Sequence, residues 1–73
     1  MAEVESMKIS LAAARVNAGL NQKKAAAMLS VSNKTLSSWE NGTSFPNAKQ
    51  IEKICELYVV QYDNINFLPN NPL

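Results

Sequence analysis

The sequence contains no histidine and a single cysteine, Cys55. The first absence excludes His-based general bases, Ser–His and Cys–His nucleophile pairs and His-containing metal sites. The second excludes an internal disulfide framework. Glycine and proline are scarce, at two and three residues. No apolar run approaches the roughly 18 residues that span a bilayer, and the opening Met1-Ala2-Glu3-Val4-Glu5 is acidic, unlike a secretory signal peptide. Paired carboxylates, a metal-ligand set or a glycine-rich phosphate loop cannot be assembled from these residues. The expectation is a reduced, cytoplasmic, non-catalytic chain with no cofactor, no metal, no membrane partner and no small-molecule substrate.

What is present suits one folded unit. The chain has 73 residues, 47% of them hydrophobic and 18% charged. That is enough for a single domain over residues 1–73 with a thin core, burying about 60% of its extended surface. Compositional disorder does not fit these proportions. Residues 1–7 and the proline-containing tail 69–73 read as loosely ordered ends.

Net charge is only +1, but its distribution is uneven. Residues 1–7 hold Glu3 and Glu5. Residues 8–39 hold Lys8, Arg15, Lys23, Lys24 and Lys34 with no acid, and Glu40, Glu52, Glu56 and Asp63 outweigh Lys49 and Lys53 after that. A long stretch with cations only reads either as a face for an anion, nucleic acid being the usual one, or as a solvated surface.

The punctuation marks short helices, and nothing alternates with period two for long enough to make a strand. Ser10 caps a helix from Leu11, with Ile9 packing over its first turn and Gly19 as the left-handed stop. Asn21 caps a second, Gln22 to Leu29, with Ala25, Ala26 and Leu29 on one face. After the turn Ser30-Val31-Ser32, a third helix runs from Asn33 to Glu40, turns Leu36 and Trp39 inward and stops at Asn41-Gly42. Asn47 and Gln50 form a capping-box start to a fourth, whose stripe is Ala48, Ile51, Ile54, Cys55 and Tyr58. A fifth short helix near Tyr62 to Phe67 would bury Tyr62, Ile65 and Phe67. The fold class expected is all-α, five helices around one core.

Residues 21–42 carry the functional signal: short helix, three-residue turn, short helix. Ala26 sits where the two helices approach, Val31 plugs the turn, and Leu36 and Trp39 dock the third helix. That leaves Asn33, Lys34, Ser37 and Ser38 on one outward face. All four side chains can hydrogen-bond and none is acidic, which is the inventory of a major-groove recognition helix. Lys23 and Lys24 flank it and read as phosphate contacts or as solvated lysines.

The sequence resembles the lambda-repressor-like, Cro/XRE-type helix-turn-helix family of phage and prophage regulators. The resemblance rests on Ala14-Arg15-Val16-Asn17-Ala18-Gly19-Leu20-Asn21-Gln22, Ala26, Val31, Thr35-Leu36-Ser37, Trp39-Glu40-Asn41-Gly42, Pro46 and Tyr62-Asp63-Asn64-Ile65. It covers roughly residues 8–68. The family implies base reading by Asn33, Lys34, Ser37 and Ser38, and phosphate contacts by Asn21, Gln22 and Asn41; Lys23 and Lys24, on the same side of the second helix, and Thr43 are expected to add phosphate contacts. It implies that Gln22 braces the recognition helix and that Arg15 and Glu40 form an ion pair, as in some members. Four features depart from the pattern: Ser30 where glycine is common, Ala25 in place of a larger aliphatic residue, no basic residue in Thr43-Ser44-Phe45, and Gln61 in place of a better cap.

The function expected is sequence-specific binding of double-stranded DNA by a transcriptional regulator, a phage or prophage repressor acting by operator occlusion. A single module reads few base pairs, so two copies on a palindromic operator are expected. Helix five and the apolar residues Phe67, Leu68 and Leu73 are the candidates for self-contact. The alternative is a protein-binding adaptor on the same scaffold, meeting an antirepressor or toxin without touching DNA. Trp39 fits core packing better than base stacking, and Cys55 fits a small core hydrophobe.

Overall fold

A computed structural model of the chain describes residues 8–67. Its elements are β1 (Ile9–Ser10), α1 (Leu11–Asn17), α2 (Gln22–Met28), α3 (Asn33–Asn41), α4 (Ala48–Tyr58), a 3-10 turn (Tyr62–Asn64) and β2 (Ile65–Asn66). The expectations for the two chain ends and for Leu68 and Leu73 fall outside the described residues.

Each helix begins on a side-chain cap. Ser10, Asn21, Ser32 and Asn47 are extended and accept from the N–H groups of Ala13, Lys24, Thr35 and Gln50. Each bond satisfies a donor with no intrahelical partner, and such caps stabilise by about 1 kcal/mol apiece. At α4 the Gln50 side chain also accepts from the Asn47 N–H at 2.8 Å, completing a capping box.

The four helices also end alike. A residue in the left-handed region closes each one: Gly19 (φ 79°), Ser30 (φ 62°), Gly42 (φ 81°) and Val59 (φ 56°). The next N–H then reaches the carbonyl five residues back, Leu20 to Arg15 (3.2 Å), Val31 to Ala26 (3.0 Å), Thr43 to Ser38 (3.0 Å) and Val60 to Cys55 (3.1 Å). This is the Schellman closure. The two glycines of the sequence fill two of these places without a Cβ penalty, whereas Ser30 and the β-branched Val59 carry one of about 1–2 kcal/mol.

The core draws on every helix and on β2: Leu11 and Ala14, Ala25, Ala26 and Leu29, Leu36 and Trp39, Ile54 and Tyr58, and Ile65. Leu11, Leu36 and Ile54 are its largest fully buried side chains. Ala25 and Ala26 are both buried, so α2 presents almost bare backbone to its neighbours and packs close to α3.

The fold is all-α in its bulk but has four α-helices among the described residues, not five. Residues 62–67 make one 3-10 turn and then β2, which pairs in parallel with β1 in the register Ile9–Ile65 and Ser10–Asn66. Two local causes act here. Gln61 makes no side-chain cap, and Ile65 is extended (φ −111°, ψ 132°) to reach β1. Ile65 is buried and Phe67 packs against the core, but Tyr62 stands exposed rather than inside. A two-residue bridge is too short to leave a period-two pattern in a sequence. Boundaries move by single residues: α2 stops at Met28 and α3 continues to Asn41. Ala48, expected on the buried stripe of α4, is exposed.

Candidate nucleic-acid interface

The turn between α2 and α3 is what sets one helix against the other. Leu29 is buried, Ser30 takes the left-handed conformation, and the Val31 N–H bonds Ala26, so the chain reverses within four residues and Val31 packs on the core. Ser32 then caps α3, its hydroxyl also donating to Thr35 Oγ1 at 2.9 Å. Leu36 and Trp39 anchor α3 from its inner side, at 0% and 4% exposure.

A polar network fixes the far end of α3. Arg15 Nε donates to Glu40 Oε2 at 2.7 Å, and Arg15 Nη2 to Glu40 Oε1 at 3.4 Å. Gln22 Nε2 donates to the same Oε1 at 3.0 Å. Arg15 Nη1 donates to the Leu20 carbonyl at 2.9 Å. One carboxylate on α3 therefore receives donors from both α1 and α2. Charge-assisted bonds of this kind are shorter and stronger than neutral ones.

Tyr58 packs beside this network from α4. Its hydroxyl is buried and has no hydrogen-bond partner among the described residues. Burial, reinforced by the negative charge of Glu40 and partly offset by Arg15, pushes its pKa up to about 12. Cys55 is half-buried, and burial raises its thiol pKa, the opposite of what a reactive thiolate needs.

The outward side of the motif is polar and free of acid. Asn33 and Lys34 are exposed in the first turn of α3, and Ser37 and Ser38 are half-buried one turn on. With 100° per residue, these four span one side of α3, opposite Leu36 and Trp39. Asn21, Lys23, Lys24 and Ala27 line a shallow surface depression along α2. Asn21 Oδ1 accepts from the Lys24 N–H at 2.7 Å, and the residue is exposed, with its amide nitrogen a donor by chemistry. Gln22 uses one N–H on Glu40 and keeps a second. Thr43 is committed differently: its hydroxyl donates to the Ser38 carbonyl at 3.2 Å and so helps close α3. Asn41 is exposed in the last turn of α3.

Sequence reasoning missed three features of this region. The Leu20 carbonyl as an Arg15 acceptor has no side-chain signature. The placement of Tyr58 beside Glu40 depends on how α4 crosses the bundle. The third is an exposed aromatic cluster of Phe45, Tyr62 and Phe67, which was legible only as three separate apolar residues.

Two short capped helices, a tight left-handed turn and an acid-free polar face on the second helix define a helix-turn-helix module. The helix-turn-helix family model matches residues 11–63, and the chain belongs to that family, in its Cro/XRE-like branch. It is a DNA-binding transcription regulator by class. No curated protein and no solved structure gives a significant match to the chain. No helix among the described residues is long and apolar enough to cross a membrane.

Proposed function

We propose that this chain is a sequence-specific repressor of phage or prophage genes, acting in the cytoplasm on a palindromic operator bound by two copies. The observation that supports the reading is an acid-free polar surface: Asn33 and Lys34 are exposed and Ser37 and Ser38 half-buried on α3, Asn21, Lys23 and Lys24 are exposed at the start of α2, and no acid lies between residues 8 and 39. Helix α3 enters the major groove by its first turn, where Asn33 and Lys34 reach base edges; Asn pairs bidentately with adenine and Lys with guanine. Asn21, Gln22, Lys23, Lys24, Asn41 and Thr43 meet phosphates and set the register. Thr43 serves only if its hydroxyl leaves Ser38. Repression follows from occlusion: two copies on adjacent half-sites, about one DNA turn apart, cover the promoter.

Selection of binding sites from random duplex DNA, followed by a salt titration on the best site, tests this. About three to five phosphate contacts per copy should give a log–log salt slope near −0.9 per contact. Recovery of a palindrome supports the two-copy reading. Salt-independent affinity, or no affinity for any duplex in the pool, rejects DNA recognition.

A further inference from the structure

The chain holds nine asparagines, followed in turn by Ala, Gln, Lys, Gly, Ala, Ile, Phe, Asn and Pro. Asn41 is the one whose successor is glycine. It is exposed at the end of α3, and Gly42 beyond it is left-handed (φ 81°, ψ 12°). An asparagine amide carbon is an electrophile, and the main-chain nitrogen of the next residue is a nucleophile close to it. Every other successor carries a side chain that crowds the approach or, at Pro72, a nitrogen without a hydrogen.

Whether that nitrogen can attack depends on how firmly the fold holds it. The Gly42 N–H donates to the Ser38 carbonyl and to the Trp39 carbonyl, the latter at 3.3 Å, longer than the usual limit of about 3.2 Å. The same Ser38 oxygen accepts from the Thr43 N–H (3.0 Å), the Ser44 N–H (3.4 Å) and the Thr43 hydroxyl (3.2 Å). Four donors thus converge on one oxygen that has two lone pairs. They share it, and the shared bonds hold the Gly42 nitrogen loosely at a helix end, where local opening costs least.

We propose that Asn41–Gly42 is a site of spontaneous covalent modification, at which the asparagine becomes aspartate or isoaspartate and the chain loses its hold on DNA. The loss of DNA rests on the reading above, in which Asn41 meets a phosphate.

The atoms balance with water as the co-reactant. When the last turn of α3 opens, solvent takes the proton of the Gly42 nitrogen, which attacks Cγ of Asn41. A C–N bond forms and closes a cyclic imide. The bond from Cγ to the side-chain nitrogen breaks, and that nitrogen takes up a proton and leaves as ammonia. Water then adds to one of the two imide carbonyls and breaks its bond to the Gly42 nitrogen. Opening at Cγ leaves aspartate. Opening at the main-chain carbonyl leaves isoaspartate, with the chain running through Cβ.

Either product brings a new negative charge to the C-terminal end of α3, where the helix dipole is already negative and where the proposed phosphate would lie. Isoaspartate also lengthens the main chain by one carbon, so Gly42 and Thr43 no longer reach Ser38 in their present register. Both changes oppose DNA and neither depends on base sequence.

The test follows the purified chain by peptide mass mapping during incubation at neutral and mildly alkaline pH, with and without the duplex selected from the random pool. Asn41 should gain the mass of an amide-to-acid exchange ahead of Asn33 and Asn47, which are also exposed but precede lysine and alanine. Bound duplex should slow the change by holding the turn closed. Gly42→Ala should slow it as well, although alanine strains a left-handed turn and opens it more often. Asn41→Asp, with circular dichroism recorded, should bind the best duplex about 10–100-fold more weakly than the parent, as when a hydrogen bond to a charged group is lost. Its deficit relative to Asn41→Ala should shrink as salt rises, because repulsion between exposed charges is screened. An Asn41 that changes no faster than Asn33 or Asn47 overturns the proposal, and so does an Asn41→Asp variant that binds as tightly as the parent. A parent that binds no duplex rejects the DNA reading and the loss of DNA with it; a parent that binds duplex and keeps Asn41 intact rejects this proposal alone.

Discussion

Arg15 on α1 and Glu40 on α3 form an ion pair of 2.7 Å with side chains only 14% and 7% exposed. This pair differs from an exposed salt bridge, which contributes about 0–1 kcal/mol. Removing one partner strands the other charge out of water. Arg15→Ala or Glu40→Ala should therefore cost about 3 kcal/mol, the low end for a broken buried pair because some of Arg15 still meets solvent. The double variant with Leu at both positions should lose less than either single one. Urea unfolding of the three variants checks the pattern, and a double variant less stable than either single one would show that the pair is energetically exposed.

Trp39 is 4% exposed and carries α3 into the core beside Leu36. Trp39→Ala should cost about 3–5 kcal/mol and unfold much of the population, since small domains hold only about 5–15 kcal/mol in all. Denaturant titration followed by circular dichroism reports it. A variant as stable as the parent but deficient in DNA binding would move Trp39 to the interface.

Val59 ends α4 at φ 56° and is 85% exposed, so its side chain costs backbone strain and returns little packing. Val59→Gly should raise stability by about 1 kcal/mol, and Ser30→Gly, at φ 62°, by somewhat less. Thermal melting of the two variants measures this. A lowered melting temperature for Val59→Gly would mean that the side chain makes a stabilising contact.

Tyr58 gives the chain an alkaline limit. Its folded pKa of about 12 exceeds the ordinary 10, so the folded state holds the proton more tightly than the unfolded chain does. The stability this confers is complete below pH 10 and is lost as pH rises toward 12, a change of the order of 2 kcal/mol. Tyr58→Phe deletes a buried hydroxyl that has no partner among the described residues and should be neutral or slightly stabilising at pH 7. The difference between parent and variant unfolding free energies, followed from pH 9 to 12, should grow in favour of the variant.

Asn33 and Lys34 should govern sequence choice, and Gln22 and Asn41 affinity alone. Alanine at either of the first two should cost about 1–3 kcal/mol on the best site and flatten the preference at particular base pairs. Alanine at Gln22 or Asn41 should weaken binding to all sequences alike. Competition against single-base operator variants separates the two classes. If neither the Asn33 nor the Lys34 variant alters base preference, another face of the module lies in the groove.

The sequence alone determined the helices and their starts. Ser10, Asn21, Ser32 and Asn47 are local devices that act within three residues, and Gly19 and Gly42 mark stops by a property of their own backbone. Leu36 and Trp39 likewise fix the inner side of α3 by spacing, and with it the outward set Asn33, Lys34, Ser37 and Ser38. Tertiary structure decided what depends on distant partners. Val59 adopts the left-handed turn of a glycine because the chain must leave α4 toward β2, against its own preference. The fifth helix gives way to a 3-10 turn because Ile65 pairs with Ile9, 56 residues away, and no local signal announces a bridge of two residues. The meeting of Arg15, Gln22 and Glu40, the buried hydroxyl of Tyr58 beside them, and the gathering of Phe45, Tyr62 and Phe67 into one groove have the same origin. Each joins side chains that are far apart in sequence, and only packing brings them within reach.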